Sequence, residues 1–433
     1  MATLAKADFL TAAELRGWQE KSWARQGSWV AGAPLYRRLW GGHAAPTRLD
    51  DLPSLPLSDK AMLRASQRHH PPFGDYLRAD PKSVSRVHRT SGTTGEAMNI
   101  GLSAEDAADT ATVGARAQAA SGLGPGHRVV HCLNYQLWMG GFTDHTTLEA
   151  TGATVIPFGV GGSEKLVRTI RELGITAISC TPSYPAVLER TLAEHFPGLD
   201  PRSLGLQLGL FGGEAGLDDP AFRGRLESAW GFKARNANYG VSDVFCNFAG
   251  QCEHQTDLHL VGLDVLWPEL IEADSGGVLP WREGETGELV LTHLSRVCQP
   301  LARFRTGDIV TLTGLGRCAC GRHAPRFRVI GRSDDMVVVR GLNVFPTTVA
   351  ALLGAFPALS GEYRIRLAGR GPYDALPIEA ELASGEVGGL ADAIVERFKR
   401  EIVVTARVSL LPAGSLPRTE GKTRRVIREG ETS

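Results

Sequence analysis

Apolar runs of strand length alternate with helical patterns through the middle of the chain. Positions 165–173 and 184–194 have the spacing of amphipathic helices, and positions 176–180 between them form an apolar run of strand length. Repetition of this order predicts an α/β fold in which parallel strands are flanked by helices.

One apolar run leads directly into a pair of glycines. Positions 204–211 are almost continuously apolar and are followed by Gly212 and Gly213. A strand that is buried on both faces gives such a run, and ligands bind at the carboxyl ends of the strands in open α/β sheets. The sequence therefore predicts a buried parallel strand that ends in a tight turn at a binding site.

The pattern changes near residue 331 and predicts two domains. A polar connector at 331–335 separates a large domain at 1–330 from a small α+β domain at 336–433, and the length of 433 residues also favours this division. The elements predicted in the small domain are a strand at 336–340, a helix that begins at Pro346, strands at 363–367 and 376–382, and a helix at 386–402. The chain up to Pro81 is predicted to wrap around the large domain as helices and loops.

Composition and charge exclude several classes of protein. The chain has 47 basic and 47 acidic residues, so no net charge favours nucleic acid or an anionic membrane as partner. No apolar N-terminal region and no run of about 18 apolar residues is present, and we expect a cytoplasmic protein. Its seven cysteines are odd in number, which favours free thiols or a metal site over a disulfide framework.

Glycines and hydroxyl-bearing residues are concentrated at 90–95. Glycines let backbone N–H groups converge on an anion, and hydroxyl groups add donors around it. The alternating pattern at 85–89 places this segment at the end of a strand. The sequence predicts a phosphate loop here, and a surface turn is the alternative. Its residues are Ser91, Gly92, Thr93, Thr94 and Gly95.

Five further segments, together with this loop, carry a resemblance to a known family. They are Leu-Phe-Gly-Gly-Glu at 210–214, Asn-Tyr-Gly-Val-Ser-Asp at 238–243, Phe-Arg-Thr-Gly-Asp at 304–308, Gly-Arg-Ser-Asp-Asp-Met through Val-Phe-Pro at 331–346, and Leu-Pro-Arg-Thr-Glu-Gly-Lys at 416–422. The chain resembles the phenylacetate-CoA ligase branch of the acyl-adenylate-forming (AMP-binding) superfamily. This implies a large adenylate-forming domain and a small mobile lid domain.

The resemblance also implies a reaction. An aryl carboxylic acid would react with ATP to give an acyl-adenylate and pyrophosphate, and coenzyme A would then capture the acyl group as a thioester. Transfer to a carrier protein or an amine is the alternative among enzymes, and a catalytically idle nucleotide-binding protein on the same fold is the alternative outside them. A homodimer is a further expectation from the family.

The roles of single residues follow from the matching segments. Lys422 would stabilise the charge that develops during adenylation, and a solvated tail lysine is the alternative. Asp308 would bind the ribose hydroxyls, unless it is an ordinary aspartate in a turn. Arg332 would add a cation near the nucleotide, with a surface arginine as the alternative. Asp334 lies at the expected hinge.

The same resemblance predicts the walls of the nucleotide site and a magnesium ligand. Tyr239 would pack against adenine or the acyl group, and a buried core tyrosine is the competing interpretation. Asp243 would bind magnesium at a position where the family usually has glutamate, and Glu96 stands where the family commonly has lysine. The other predicted nucleotide-binding residues are Gly212, Gly213, Glu214, Asn238, Gly240 and Ser242.

The segment 133–141 corresponds to the part of the family that borders the carboxylic acid. Its candidates for the substrate pocket are Tyr135, Trp138 and Gly140, and their aromatic character favours an aromatic acid. Tyr135 and Trp138 serve equally well as core residues. The amides of Asn134 and Gln136 would suit a hydroxylated, amino-substituted or heteroaryl acid.

A separate group of cysteines and histidines favours structural zinc. The preferred ligands are Cys252, His259, Cys318 and Cys320, of which the family often has counterparts. His254 competes with His259 as a ligand, and free buried thiols are the alternative to a metal site.

Overall fold

The computed structural model describes residues 7–90, 97–214, 216–254, 256–340, 342–369, 373–385, 387–417 and 425–428. The helices within these ranges are α1 (Ala12–Ala31), α2 (Pro34–Leu39), α3 (Lys60–His69), α4 (Ala104–Ala120), α5 (Met139–Glu149), α6 (Ser163–Leu173), α7 (Tyr184–His195), α8 (Pro220–Trp230), α9 (Pro346–Gly354) and α10 (Leu390–Ile402). None of the helices in the described ranges is long and apolar enough to span a membrane.

The strands form one large sheet, a four-stranded sheet and two short ribbons. Their bounds are β1 (Arg86–Arg89), β2 (Asn99–Leu102), β3 (Arg128–His131), β4 (Thr154–Pro157), β5 (Ala177–Cys180), β6 (Leu208–Gly212), β7 (Lys233–Val241), β8 (Phe245–Gln251), β9 (Leu258–Leu260), β10 (Leu266–Ile271), β11 (Val278–Leu279), β12 (Thr286–His293), β13 (Phe304–Gly314), β14 (Arg326–Arg332), β15 (Val337–Val339), β16 (Leu342–Val344), β17 (Leu359–Leu367), β18 (Leu376–Leu382), β19 (Ala406–Leu411) and β20 (Val426–Arg428).

The large sheet is mixed. Its 12 strands run in the order β11-β10-β12-β13-β14-β9-β8-β7-β6-β5-β3-β4. The strands β4, β3, β5, β6 and β7 are parallel to their neighbours, and the strands from β7 to β11 pair antiparallel. The predicted parallel sheet with flanking helices is thus one half of a larger sheet, and ligands bind at the carboxyl ends of the strands in such sheets.

The buried strand after residue 204 is shorter than predicted. It begins at Leu208, because Pro201–Leu204 forms a 3-10 helix and Gly205 follows with a φ of 76°. All five residues of β6 are buried, as expected for a parallel strand that is covered on both faces. Trp230, Leu188 and Ile170, which lie on α8, α7 and α6, pack into the same core as Phe211.

The N-terminal segment forms helices and loops, as predicted. It packs along the antiparallel half of the sheet. Trp23 and Tyr36 belong to the same core as Phe304 of β13. Ser58 donates its backbone N–H to the carbonyl of Arg303 at 2.9 Å and accepts from the N–H of Arg305 at 2.8 Å. This backbone pairing fixes the beginning of α3 beside the strand that carries Asp308.

The C-terminal α+β unit has its own core. The sheet β19-β18-β17-β20 is covered by α9 and α10, and Ile365, Ile378 and Phe398 are buried between them. The strand predicted at 376–382 has those bounds. The last helix begins at Leu390 and not at 386, because Gly389 precedes it in the left-handed conformation with a φ of 75°. The hydroxyl of Thr347 on α9 donates to the carbonyl of Ile330 in the large sheet.

Candidate active site

The strand that leads to the predicted phosphate loop also contacts the predicted acyl-pocket segment. The N–H of Arg89 in β1 donates to the carbonyl of Leu137 at 2.7 Å, and Arg89 forms a bridge with Trp138. Leu137 has a φ of 58°, a conformation that costs free energy for a residue with a side chain. Ser91, Gly92, Thr93, Thr94, Gly95 and Glu96 lie outside the described residues. Thr90 and Met98 lie on either side of these residues: the N–H of Thr90 donates to the carbonyl of Met98 at 3.0 Å, and the N–H of Met98 donates to the side-chain hydroxyl of Thr90 at 3.0 Å.

Trp138 lies between the predicted acyl and nucleotide segments. A Cβ atom placed on Gly213 would be 3.9 Å from Cη2 of Trp138 and 3.9 Å from Cγ2 of Thr181, so the indole ring lies over the end of β6. The ring also covers Gly140, where a Cβ atom would be 2.9 Å from Cη2 of Trp138. Trp138, Gly140 and Tyr135 are all partly exposed, and their role in a substrate pocket stays a prediction.

The Gly-Gly-Glu and Asn-Tyr-Gly segments meet at the carboxyl ends of β6 and β7. Gly212 pairs with Asn238, and a Cβ atom on Gly212 would be 2.5 Å from the carbonyl oxygen of Asn238. A Cβ atom on Gly240 would be 1.9 Å from the carbonyl oxygen of Cys246. Only glycine permits this approach of the backbones. The carboxylate of Glu214 accepts the N–H of Ser183 at 3.3 Å.

Asp308 is the centre of a hydrogen-bond network that joins three of the matching segments. The hydroxyl of Tyr239 donates to Oδ2 of Asp308 at 2.7 Å, and Nη1 of Arg332 donates to Oδ1 at 2.8 Å. Arg332 also donates through Nε to Asp334 at 2.8 Å. We call Tyr239, Asp308, Arg332 and Asp334 the Asp308 network. The structure therefore brings together four residues that the sequence predicted separately.

Burial and charge set the protonation of this network. Burial raises the pKa of Tyr239, and Asp308 raises it further, so the phenol keeps its proton and donates it. Burial opposes the charge of Arg332, but Asp308 and Asp334 outweigh it and raise the pKa of the guanidinium. Tyr239 also packs edge-on against Phe248 and Phe327, with ring centroids 5.3 Å apart in both pairs. One edge of the ring belongs to the core, and the residue as a whole remains partly exposed.

Asp243, the predicted magnesium ligand, has a partner that the sequence did not reveal. Nζ of Lys60 lies 3.1 Å from Oδ2 of Asp243, and the carboxylate is 4% exposed while the lysine side chain is 36% exposed. Lys60 is the first residue of α3, and the carboxylate of Asp59 caps that helix by accepting the N–H of Met62 at 2.8 Å. Aspartate is a preferred residue at this capping position, but nothing in the sequence indicates a contact between Lys60 and Asp243.

The four predicted zinc ligands lie together. The ligand atoms of Cys252, His259, Cys318 and Cys320 are all within 4.8 Å of one another. We call these residues the Cys252 cluster. Sγ of Cys252 is 3.8 Å from Sγ of Cys318, and Sγ of Cys320 is 3.6 Å from Nε2 of His259. His254, the competing candidate, is not part of this group.

The imidazole of His259 is oriented toward the thiols. Its Nδ1 donates to the carbonyl of Ala324 at 3.1 Å, so Nε2 carries the lone pair in the neutral ring. Burial lowers the pKa of His259 to about 4, which keeps the ring neutral near pH 7. Burial raises the pKa of the Cys252 thiol to about 11.

Lys422 lies outside the described residues, as do its neighbours from 418 to 424. The structure describes both ends of this segment. The N–H of Leu416 donates to the carboxylate of Glu381 at 2.7 Å, and β20 begins at Val426 and pairs with β17. The predicted hinge residue Asp334 follows β14, which ends at Arg332, and β15 of the small unit begins at Val337. Its role as a hinge stays a prediction.

Comparison with known proteins identifies the family. Residues 341–429 match the family model described as AMP-binding enzyme C-terminal domain. The chain is 36% identical over 444 residues to a phenylacetate-coenzyme A ligase of Thermus thermophilus, with 96% of both chains covered. The predicted resemblance is confirmed.

Two solved states of one ligase match this chain to different extents. A 2-hydroxyisobutyryl-CoA ligase in the postadenylation state with 2-HIB-AMP matches with a TM-score of 0.87 and 29% identity, covering 97% of this chain and 91% of that one. The same ligase with 2-HIB-AMP and CoA in the thioesterification state matches with a TM-score of 0.70 and 30% identity, covering 98% and 91%. The arrangement of this chain is nearer to the postadenylation state. From its extended match to the curated relative, the chain belongs to the phenylacetate-coenzyme A ligase family of AMP-forming acid–thiol ligases.

Proposed function

We propose that this protein activates an aryl carboxylic acid with ATP, releases pyrophosphate, and transfers the acyl group to coenzyme A. The observation that carries the proposal is the Asp308 network, which lies on the same sheet as the Asp243–Lys60 pair and the Trp138–Gly213 contact. These groups supply a partner for ribose, a carboxylate for a cation, and an aromatic wall next to the nucleotide segments. An adenylating ligase needs these three functions close together.

Asp308 is suited to bind the ribose diol. Oδ2 of its carboxylate accepts from Tyr239 at 2.7 Å, and Oδ1 accepts from Arg332 at 2.8 Å. Each oxygen has a second lone pair, so two ribose hydroxyls can donate without displacing these partners. Hydrogen bonds from ribose hydroxyls to a carboxylate are charge-assisted and therefore stronger than those to a neutral acceptor.

Adenylation requires positive charge where two anions meet. The acid carboxylate attacks the α-phosphorus, a new P–O bond forms, and the bond to pyrophosphate breaks. We propose that Lys422 supplies charge to the transition state and that the loop of Ser91 to Gly95 binds the phosphate oxygens. Lys60 is a further ammonium group on the Asp243 side, and it offers positive charge in a chain that has Glu96 after the loop.

Asp243 fits the role of magnesium ligand. It is a buried carboxylate whose described ion-pair partner is the flexible and partly exposed Lys60. Magnesium favours oxygen ligands and is commonly held by one or two carboxylates together with substrate phosphates. Lys60 would then leave Asp243 when the cation binds. Bound magnesium would neutralise phosphate charge, while Asp243 fixes its place at the end of β7.

The Cys252 cluster fits structural zinc. Zn–S bonds of about 2.3 Å and Zn–N bonds of about 2.0–2.1 Å in a tetrahedron imply S···S separations near 3.8 Å and S···N separations near 3.6 Å. The Sγ atoms of Cys252 and Cys318 are 3.8 Å apart, and Sγ of Cys320 is 3.6 Å from Nε2 of His259, in agreement with these values. Four protein ligands leave no open position for a substrate, so we propose a structural role in holding the turn at Cys318 against β8 and β9.

The second half-reaction requires a different placement of the lid. We propose that the C-terminal unit turns about Asp334, so that Lys422 leaves and another face of the unit borders the coenzyme A thiol. The higher TM-score to the postadenylation state supports the assignment of the present arrangement to the first half-reaction. The thiolate would attack the acyl carbonyl and AMP would leave.

Acid-dependent exchange of labelled pyrophosphate into ATP tests the first half-reaction. The panel should contain phenylacetate, benzoates, hydroxy- and amino-substituted aryl acids, and short aliphatic acids as controls. We expect exchange with aryl acids and thioester formation only after coenzyme A is added. Absence of exchange with every acid of the panel, from a folded protein with its metal restored, would overturn the proposal.

A further inference from the structure

A chain of three polar side chains extends from the predicted acyl pocket to the surface. The hydroxyl of Tyr135 lies 2.9 Å from Nδ1 of His145, and Nε2 of His145 lies 3.3 Å from Oε1 of Glu149. His145 and Glu149 are one turn apart on α5. The side chain of His145 is 12% exposed and that of Glu149 is 59% exposed.

The order of these groups favours one direction for the hydrogen bond between Tyr135 and His145. A carboxylate carries no proton to donate, so the Glu149 carboxylate 3.3 Å from Nε2 favours the tautomer of His145 with its proton on Nε2. In the neutral ring Nδ1 then has a lone pair and accepts from the hydroxyl of Tyr135. Burial raises the pKa of Tyr135, so its phenol keeps this proton. Tyr135 therefore donates its proton to His145. Toward a ligand, the remaining lone pair of the phenol oxygen can act only as an acceptor.

The ring of Tyr135 is held at the crevice from several sides. The His131 ring meets it edge-on with centroids 5.5 Å apart, and burial lowers the pKa of His131 to about 4, so this neighbour is uncharged near pH 7. A Cβ atom on Gly159 would be 3.6 Å from Cδ2 of Tyr135. Phe142 stacks on His145 with centroids 6.1 Å apart. The phenol thus has one orientation, and the imidazole that fixes its proton is itself packed.

The acceptor character of Tyr135 has a consequence for the substrate. An acceptor that is held in a partly desolvated pocket favours a ligand group that donates, and it penalises a group of the same size that only accepts, because two acceptors then face each other. Nearby, Asn134 uses its side-chain oxygen to accept the N–H of Gln136 at 2.9 Å. The described hydrogen bond of Asn134 therefore occupies its amide oxygen and does not involve the hydroxyl of Tyr135.

We propose that the Tyr135–His145–Glu149 chain makes this ligase select aryl acids whose ring carries a hydrogen-bond donor, such as a hydroxyl or amino group. Tyr135 would contact the substituent, and His145 and Glu149 are positioning residues that act through Tyr135. The inference rests on the proposed function, because it requires that the acyl group of an aryl acid lies against Tyr135.

Substrate pairs of matched size test the selection. The ortho, meta and para isomers of hydroxyphenylacetate and aminophenylacetate are compared with the corresponding methoxy and fluoro compounds and with phenylacetate. The measured quantity is kcat/KM for pyrophosphate exchange. For one isomer we expect the donor-bearing acid to be favoured roughly tenfold over its acceptor-only counterpart, the factor that one net hydrogen bond provides.

Variants separate the chemistry of Tyr135 from its packing. Tyr135→Phe should remove the preference for the donor while phenylacetate is still activated. His145→Leu frees the phenol proton, so Tyr135 can donate, and the preference should fall toward equality or reverse. His127→Leu is the matched control, because His127 also binds a hydroxyl, Thr176 Oγ1 at 3.0 Å, but at the opposite end of β3. That variant should keep the preference of the unmodified protein.

Each result has a distinct meaning. Equal use of donor and acceptor acids by the unmodified protein would overturn the inference and leave aryl acid activation intact. If His145→Leu lowers kcat/KM by the same factor for every acid, His145 has only a packing role. This result would also overturn the inference. No exchange with any aryl acid in the unmodified, folded protein would be the failure of the proposed function itself.

Discussion

The Asp308 network and the Cys252 cluster lie on the same large sheet, but they use their polar atoms in different ways. In the Asp308 network Tyr239 and Arg332 donate to the carboxylates of Asp308 and Asp334 at 2.7–3.1 Å. In the Cys252 cluster the sulfur and nitrogen atoms face each other at 3.6–3.8 Å, which is too long for strong hydrogen bonds.

The difference indicates two kinds of ligand. A network that is already satisfied by short hydrogen bonds can accept a further polar molecule and release it, as a nucleotide site must. A cluster of three thiols and a neutral imidazole, whose ligand atoms lie close together, can bind one cation with all four groups at once. We therefore expect changes in the first region to alter turnover and changes in the second to alter stability.

The largest effect is expected from the residue that would complete the first region. Lys422→Ala removes the charge that we propose stabilises the adenylation transition state, so pyrophosphate exchange should fall by a factor on the order of 10²–10³. Exposed Lys399 on α10 offers a matched control, and Lys399→Ala should exchange at the original rate. Acyl-AMP formation by Lys422→Ala at the rate of the unmodified protein would contradict the assignment of this lysine.

Asp308→Asn should have the next largest effect. The substitution keeps the shape of the side chain but removes the charge that accepts from ribose, Tyr239 and Arg332. Hydrogen bonds to charged groups contribute about 1.5–3 kcal/mol, so kcat/KM for ATP should fall by roughly 10- to 100-fold. Asp274→Asn, at an exposed position, is the control. An unchanged KM for ATP together with a loss of stability would assign Asp308 a purely structural role.

Removal of metal tests the second region. Incubation with a chelator should lower the melting temperature by several degrees, because a ligand that binds only the folded state stabilises it. Pyrophosphate exchange well below the melting temperature should not change once magnesium is restored. Cys320→Ser should melt earlier than the unmodified protein and should no longer respond to the chelator. A chelator response that persists in this variant would place the metal elsewhere.

The sequence predicted the elements of the fold better than their limits and their contacts. The strand at 376–382 was predicted with its observed bounds because the apolar residues Leu376, Ile378, Ala380 and Leu382 recur at every second position. The helix predicted at 386–402 begins at Leu390, since the left-handed Gly389 precedes its first turn. The strand predicted at 204–211 begins only at Leu208, because Pro201–Leu204 forms a 3-10 helix and the left-handed Gly205 follows it.

The site residues were predicted where a motif carried them and missed where tertiary contact defined them. Asp308, Tyr239 and Arg332 lie in separate motifs, and only the pairing of β13 with β14 brings Asp308 opposite Arg332. The choice of His259 over His254 depends on the register of β9 with β14, in which His259 pairs with Arg326. Lys60 had no signal at all, because its contact with Asp243 spans 183 residues of sequence.

Lys60→Met gives the smallest expected effect and separates its two possible roles. Its ion pair with Asp243 is partly exposed, and such pairs contribute about 0.2–1 kcal/mol. If Lys60 competes with magnesium for the carboxylate, the variant should need roughly two- to fivefold less magnesium for half-maximal pyrophosphate exchange. Lys82→Met, at an exposed position, should leave this concentration unchanged. A lower maximal exchange rate with the same magnesium dependence would instead show that the ammonium group of Lys60 acts on the substrates. The Asp243 carboxylate would then bind its cation without competition from Lys60.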